Sequence, residues 1–261
     1  NSLSFLKKQQ KLLKYGIIYK KYLANNDTIR RWLVMKFVID KSLAELGITS
    51  VVIGIAKHVD PHAPLSEAFL QRQKEAEAWA LNCDLAEVSD RPTIQGYRDL
   101  LQAVGRSVKK NPPTVPALIR NIQHRGSIPR INSIIDVYNV EALHSLLAIG
   151  GHDLDKIGNQ IEFTVSQKED VFLPILSKEK HVSPTDYVYR DEKGILAWLD
   201  VRDSENYKFD DHTKNAIFII QGNAHTSVDM RLEALDRIAH DLAEAMPNLK
   251  FEKYVIHAEE N

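Results

Sequence analysis

Apolar positions change their spacing several times along this chain, and each change marks an element. The stretches "MKFVID" (35–40) and "SVVIGIAKHV" (50–59) are short β-branched runs. The second is continuous, as expected of a strand covered on both faces. Helical spacing follows. In "APLSEAFLQRQKEAEAWALNCDL" (63–85), Leu, Phe and Ala recur at intervals of three and four, and Ser66 stands where a cap belongs. The stretches "TIQGYRDLLQAVGRSV" (93–108) and "TVPALIRNIQHRG" (114–126) give two more helices, split by the breaker "KKNPP".

The next helix lies in "SIPRINSIIDVYNVEALHSLLAIGGHDLDKIG" (127–158) and is apolar almost all round. Short β-branched or aromatic runs succeed it: "IEFTVS", "VFLPIL", "DYVYRD", "GILAWLDV" and "AIFIIQG". Within them "YRDEKGIL" reads as a hairpin connection, because Asp and Gly tolerate the special turn dihedrals. A final helix, "HTSVDMRLEALDRIAHDLAEAMP", is closed by Pro247, and "KFEKYVIHA" ends the pattern with a strand. This order predicts an α+β fold, a layered antiparallel or mixed sheet core with flanking helices.

Composition adds bounds. At 261 residues the chain can bury a core without covalent staples, and its single cysteine, Cys83, excludes an intramolecular disulfide framework. No run approaches the roughly 18 apolar residues of a membrane span, so the expected location is cytoplasmic. Neither GxxxxGK[ST] nor GxGxxG occurs, which removes ATP hydrolysis and dinucleotide chemistry from the leading functions.

The net charge of −1 conceals an asymmetry: residues 1–34 hold eight Lys or Arg against one Asp, which leaves −8 for the remainder. The expected division is therefore a basic extension, 1–34, followed by a single domain, 35–261. One reading of the extension is an amphipathic helix with Leu6, Leu13 and Ile17 on one side, suited to RNA phosphates or an anionic surface. The other is that the natural chain starts at Met35 and the leader is foreign to it.

At about 100° per residue, Asn132, Asp136 and Asn139 fall in one narrow arc of the apolar helix. Buried polar groups need partners, so these three either stitch the helix to nearby loops or line a pocket. The pair Gly150 and Gly151 reads as a helix stop, followed by His152, Asp153, Asp155 and Lys156 on one short segment. Elsewhere, His58, Asp60 and His62 alternate at a strand end as possible metal ligands, but Pro61 interrupts them and an exposed loop is the plainer expectation. Arg202, Asp203, Ser204, Lys208, Thr213 and Asn215 make an unusually polar link between two strands, able to meet an anion or a ribose or simply to be solvated.

The two polar segments, "IPRINSIIDVYNVEALHSLLAIGGHDLDKIG" and "RDSENYKFDDHTKNAIFIIQG", resemble the B3/4 module of the phenylalanyl-tRNA synthetase beta subunit, in its stand-alone form. The likeness rests on N-x-x-x-D-x-x-N followed by D-x-D-K-I-x-G, and on R-D-S followed by T-K-N. It is strongest over 115–222. The resemblance implies hydrolysis of mischarged aminoacyl-tRNA, with tRNA or its aminoacylated 3′ end as partner rather than DNA or a membrane, and with no cofactor and no metal. Asn139, His152 and Asp153 become the expected catalytic residues. Asn132, Asp136, Gly150, Gly151, Arg202, Asp203, Ser204, Thr213 and Asn215 become the expected substrate-binding ones.

Two positions depart from that pattern: the family's pocket histidine falls on Gly150 and a strand carboxylate on Ile219. A deacylase acting in trans and a binding module without chemistry both fit these residues, and a metal-assisted hydrolase using His58 and His62 is a third reading. Convergence of Asn139, His152, Arg202 and Thr213 on one cavity is what the aminoacyl readings require.

Overall fold

The structure is a computed structural model and describes residues 17–21, 32–199 and 202–258. Strand β1 (Ile17–Lys21) pairs antiparallel with β2 (Trp32–Ile39). A strand therefore stands where the amphipathic-helix reading placed Ile17. Leu6 and Leu13 lie outside the described residues. Asp40 caps the short helix α1 (Lys41–Glu45), and β3 (Ser50–Lys57) follows, buried at all but its last residue.

The helices come next. Ser66 accepts the Phe69 N–H at 3.1 Å and opens α2 (Glu67–Asn82). Asp84 then caps a separate short helix, α3 (Leu85–Ser89), and Pro92 occupies the first turn of α4 (Pro92–Ala103). α5 (Thr114–Arg125) stops at Gly126, whose φ of 78° suits a residue without Cβ. α6 (Ser133–Ser145) stops at Leu146, which itself takes the left-handed conformation, φ 59°.

Because Leu146 ends α6, the glycine pair is not the helix stop. It opens a strand, β4 (Gly150–Asp153). The remaining elements are β5 (Gln160–Val165), β6 (Val171–Phe172), β7 (Lys180–His181), β8 (Tyr187–Arg190), β9 (Ile195–Trp198), β10 (Arg202–Asp203), β11 (Asn215–Ile220), α7 (Val228–Ala245) and β12 (Lys250–His257). The expected strand in "VFLPIL" shortens to β6, since Pro174 cannot donate to a ladder. The hairpin β8–β9 forms as expected, and Asp191 holds its turn by accepting the N–H groups of Lys193 and Gly194.

Two main sheets, a two-stranded ribbon β6-β7 and a helical layer result among the described residues. One sheet runs β12-β3-β11-β4 and the other β1-β2-β5-β8-β9-β10, mixed because β2 and β5 are parallel. Alternation along the strands decides which core each side chain enters. Val52, Ala56, Ala216, Phe218 and Ile220 pack on the helices with Phe69, Ile119, Val137 and Leu235. Val51, Ile53, Ile55, Ile217 and Ile219 pack on the second sheet with Phe37, Phe163, Tyr187 and Tyr189. The fold is α+β, with helices, sheet and sheet stacked in that order.

A buried cation locks the second sheet beside β9. Arg106, just past α4, is bonded through Nε and Nη2 to Asp186, donates from Nη1 to the Leu199 carbonyl at 3.0 Å, and lies 5.0 Å from the ring centres of both Tyr187 and Trp198. Asp186 is fully buried. Replacing Arg106 with Leu strands that carboxylate, so Arg106→Leu is expected to lose about 3–5 kcal/mol in urea denaturation. Arg106→Leu combined with Asp186→Leu is expected to recover a substantial part of that loss, because both desolvated charges are then gone.

Candidate functional site

Strand β4 is an edge strand that pairs only with β11, and its register sets the site: Gly150 faces Ile219, Gly151 faces Phe218 and His152 faces Ile217. Gly150 and His152 therefore point into the space between the sheets, and Gly151 points toward the helices. A Cβ on Gly150 would collide with the Tyr189 hydroxyl. A Cβ on Gly151 would come within 2.9 Å of both Phe209 and Tyr138. Close packing on both faces, not turn geometry, requires the two glycines.

Where the edge of β4 meets the far edge of the second sheet, a cavity of about 80 Å³ opens. Gly150 and Ile219 form one side; Tyr189, Trp198, Arg202 and Asp203 form the other; Gln221 closes the end. The two positions that depart from the expected family pattern are thus cross-strand partners in this wall. Two buried N–H donors there have no hydrogen-bond partner, Trp198 Nε1 and Gln221 Nε2. Neither is left to drift. Arg106 stacks on the Trp198 ring, and the buried Arg231 donates to the Gln221 carbonyl at 2.9 Å, fixing the backbone from which the amide projects.

Asp203 brings the acidic group. Its side chain keeps 25% of its surface accessible, yet protein atoms crowd the carboxyl and push its pKa up to about 7, against a Gly151 N–H that stabilises the charged form. Burial acts oppositely on His152, which is fully buried and whose pKa drops to about 3. His152 Nε2 is bonded to Tyr189 Oη and lies 3.9 Å from Asp203 Oδ1, too far for a hydrogen bond. Nδ1 has no partner. An unpaired lone pair is cheaper to bury than an unpaired N–H, which puts the ring proton on Nε2, donating to Tyr189. His152 and Asp203 are therefore neighbours at neutral pH without forming an ion pair.

The expected residues divide into groups. Arg202, Asp203 and Gly150 line the cavity, and Gly151 and His152 stand directly behind it. Asn132 is the cap of α6, accepting the Ile135 N–H at 2.9 Å, and Asp136 accepts the Ile131 N–H at 2.9 Å in the same turn; burial raises the Asp136 pKa. These two hold the helix start. Asn139 is half-buried on α6 and is not part of the cavity wall. Asp153 accepts from Thr213 Oγ1 at 2.9 Å, and Asn215 Nδ2 donates to Asp155 at 2.7 Å, so these side chains close the opposite end of β4, roughly 10 Å along the strand. Ser204 caps a 3₁₀ turn at 205–207.

Convergence therefore holds for Arg202 and, through Tyr189, for His152, and fails for Asn139 and Thr213. His62 meets Asp211 at 3.5 Å on the surface, and His58, Asp60 and His62 form no ligand cluster among the described residues. Tyr189, Trp198 and Gln221 escaped sequence reasoning. Only Gln221 left a signal there: it follows Ile219 by two residues on a strand and so shares its face.

A larger groove, about 700 Å³, lies across the helices between α2, α6 and α7. Four of its charges are paired, Arg72 with Asp241 and Arg237 with Glu141. The smaller cavity is the better candidate because three of the expected residues, Gly150, Arg202 and Asp203, line it.

Comparison with known proteins gives a consistent picture. The B3/4 domain model matches residues 96–249. The chain is 25% identical over 129 residues to the phenylalanine–tRNA ligase beta subunit of Mycoplasma pneumoniae, covering 49% of this chain and 16% of that one. With the corresponding subunit of Mycoplasma genitalium it shares 26% over 117 residues, covering 44% and 14%. It thus spans about a sixth of the length of these relatives. An N-terminal fragment of the phenylalanyl-tRNA synthetase beta subunit from Pyrococcus horikoshii aligns over 90% of this chain and 52% of its own, with a TM-score of 0.44 and 15% identity.

The two shifted groups make opposite contributions to stability. Asp203 has a folded pKa above its ordinary 3.8, so its contribution is full below about pH 4 and is lost as pH rises to about 7. His152 has a folded pKa below its ordinary 6.5, so its contribution is full above about pH 6.5 and is lost as pH falls toward 3. In Asp203→Asn only the histidine contribution remains. The variant is expected to gain on the wild type by up to about 4 kcal/mol between pH 4 and pH 8, measured by denaturation at the two pH values; an unchanged difference would contradict this account of Asp203.

Proposed function

Since this chain belongs to the B3/4 domain family, we propose that the cavity between β4 and β10 receives the aminoacylated 3′ end of a tRNA and hydrolyses the ester, in trans and in the cytoplasm. The observation that supports this best is Asp203, a carboxyl that titrates near neutrality, lining a small cavity beside the rim cation Arg202. Ester hydrolysis needs a base for the attacking water and positive charge or donors for the carbonyl oxygen as it becomes an oxyanion.

Asp203 takes a proton from water, and the water oxygen attacks the carbonyl carbon. The unbonded N–H groups of Trp198 and Gln221, closed off in this structure, reach the oxygen that gains charge only when their side chains rotate. When the tetrahedral adduct collapses, the ribose oxygen leaves and takes the proton back from Asp203. A carboxyl with its pKa near 7 suits both halves of that exchange at cellular pH. His152, neutral down to about pH 3 and bonded to Tyr189, is a positioning residue for Tyr189 and not the base. In this reading the carboxylate absent at Ile219 is supplied from β10, and Asp203 takes over the roles expected of Asn139 and Asp153. Arg202, exposed at the rim, suits a phosphate of the terminal nucleotides.

Incubation of the purified protein with a panel of mischarged tRNAs is the test. Release of amino acid above buffer is expected, with kcat/KM rising through about pH 7. Asp203→Asn is expected to lower kcat by about 10²–10⁴ and to abolish that pH dependence. Absence of release from every tRNA tried, together with saturable binding, would make the protein a recognition module instead.

A further inference from the structure

The loop that joins β6 to β7 runs beside β10, the strand that carries Arg202 and Asp203, and it holds Leu176 out in solvent. Resting on the aminoacyl-tRNA reading, we propose that Leu176 receives the base of the terminal nucleotide at the tRNA 3′ end, while Arg202 holds the phosphate attached to that nucleotide. Two properties set Leu176 apart. It is 91% exposed, and its φ of 56° lies in the left-handed region, where a Cβ crowds the following carbonyl and glycine is the residue that fits. A single exposed leucine is common on protein surfaces. A bulky one held in a strained conformation with almost nothing packed on it adds little to the fold, and such strain gathers where a chain meets its ligand.

The backbone around Leu176 is fixed to the cavity rim. The Ile175 N–H donates to the Asp203 carbonyl at 3.0 Å, the Glu205 N–H donates to the Leu173 carbonyl at 2.9 Å, and Arg202 Nη1 donates to the Ile175 carbonyl at 3.2 Å. Phe172 and Val182 root the ribbon in a small apolar cluster with Val188, Ile195 and Trp198. The bond to Ile175 also sets a distance. A carbonyl oxygen lies about 2.8 Å from the next Cα across a trans peptide, so the Leu176 Cα is at most about 6 Å from the Arg202 guanidinium. A phosphate on Arg202 therefore brings its own ribose and base to Leu176.

The two side chains match the two halves of a nucleotide. The rest of the Arg202 fork makes no bond among the described residues, and a planar guanidinium meets a phosphate through parallel N–H groups. A base at a single-stranded end has flat faces free to lie on an apolar side chain. Lys178 and Lys180, on the same ribbon, are exposed and form no ion pair among the described residues, against one acid between them, Glu179. Residues 35–261 carry −8 overall, so this rim is a local exception to which phosphates are drawn. Cations around a lone apolar residue suit a nucleic acid better than an apolar protein surface.

The experiment follows the fluorescence anisotropy of a labelled single-stranded RNA ending in CCA as the full chain is added, over a range of salt concentrations. The expected result is saturable binding that Leu176→Ser weakens at least about tenfold, as the loss of one stacking contact commonly does, with the slope of log Kd on log salt unchanged. Arg202→Ala reduces that slope by about 1. Leu176→Ser and Leu176→Gly melt no more than about 2 °C below the wild type, as exposed substitutions do. In Leu176→Ser, kcat/KM for release from mischarged tRNA falls along with RNA affinity.

RNA bound by Leu176→Ser as tightly as by the wild type would overturn the contact and leave hydrolysis standing. RNA affinity lost in Leu176→Ser, with no ester released by the wild type, would overturn hydrolysis and leave the contact standing. A large fall in melting temperature in both variants would make Leu176 structural and overturn the contact. No RNA bound by the wild type would overturn it as well, and a wild-type dimer that Leu176→Ser dissolves would assign the residue to a second copy of this chain instead.

Discussion

Strand β4 is approached from both faces more closely than any side chain at 150 or 151 would allow, and the site depends on that approach. On one face the Tyr189 hydroxyl takes the volume of a Cβ; on the other, Tyr138 and Phe209 do. Bare backbone lets the edge of one sheet sit against the edge of the other, which brings the Gly151 N–H to the Asp203 carboxyl and leaves a small void beside them. Protein interiors are packed densely enough that a methyl group at either position would move aromatic rings and not merely fill space.

Burial then decides the charges. A carboxyl and an imidazole 3.9 Å apart would form an ion pair in water-accessible surroundings, but the desolvation of each exceeds what the other returns at that distance. The result is a neutral histidine and a carboxyl that titrates near neutrality. Arg106 and Asp186 show the contrasting case a few residues away. Their contact is bidentate and backed by a backbone carbonyl and two rings, so the charges are kept and serve to hold Trp198. One buried pair supplies rigidity, and the other supplies a proton acceptor.

The layered α+β architecture was legible in the sequence because it is written in period. The continuous run at 50–57 read as a strand buried on both faces and the run at 216–220 as a short strand, and they are the two central strands between the helical and the inter-sheet cores. Ser66 and the 191–194 turn announce themselves by local chemistry. What escaped depends on tertiary packing. Two glycines after a helix look like a stop, and only the aromatic rings arriving from β8, α6 and the 205–209 region show why they form a strand. The polar arc of α6 is real as a periodicity, but Asn132 and Asp136 spend it on capping the helix, a local use that spacing alone cannot separate from a pocket wall. Asp203 was visible as one residue in a polar link; its distinction comes from the strand register that sets it behind Gly151.

The groove across the helices and the cavity between the sheets differ in which polar groups they hold, and that difference matters more than their volumes. In the 700 Å³ groove Arg72 and Arg237 are neutralised by the carboxylates beside them, so a ligand meeting those two would have to break pairs first. In the 80 Å³ cavity two N–H donors are buried with no acceptor, each at a cost of about 1–3 kcal/mol to the folded state. An acceptor that reached them on side-chain rotation would recover that cost, more fully if it carried charge, since charge-assisted hydrogen bonds are roughly twice as strong as neutral ones. On the proposed reading, donors brought to the ester would favour an oxygen that becomes an oxyanion over one that stays a carbonyl.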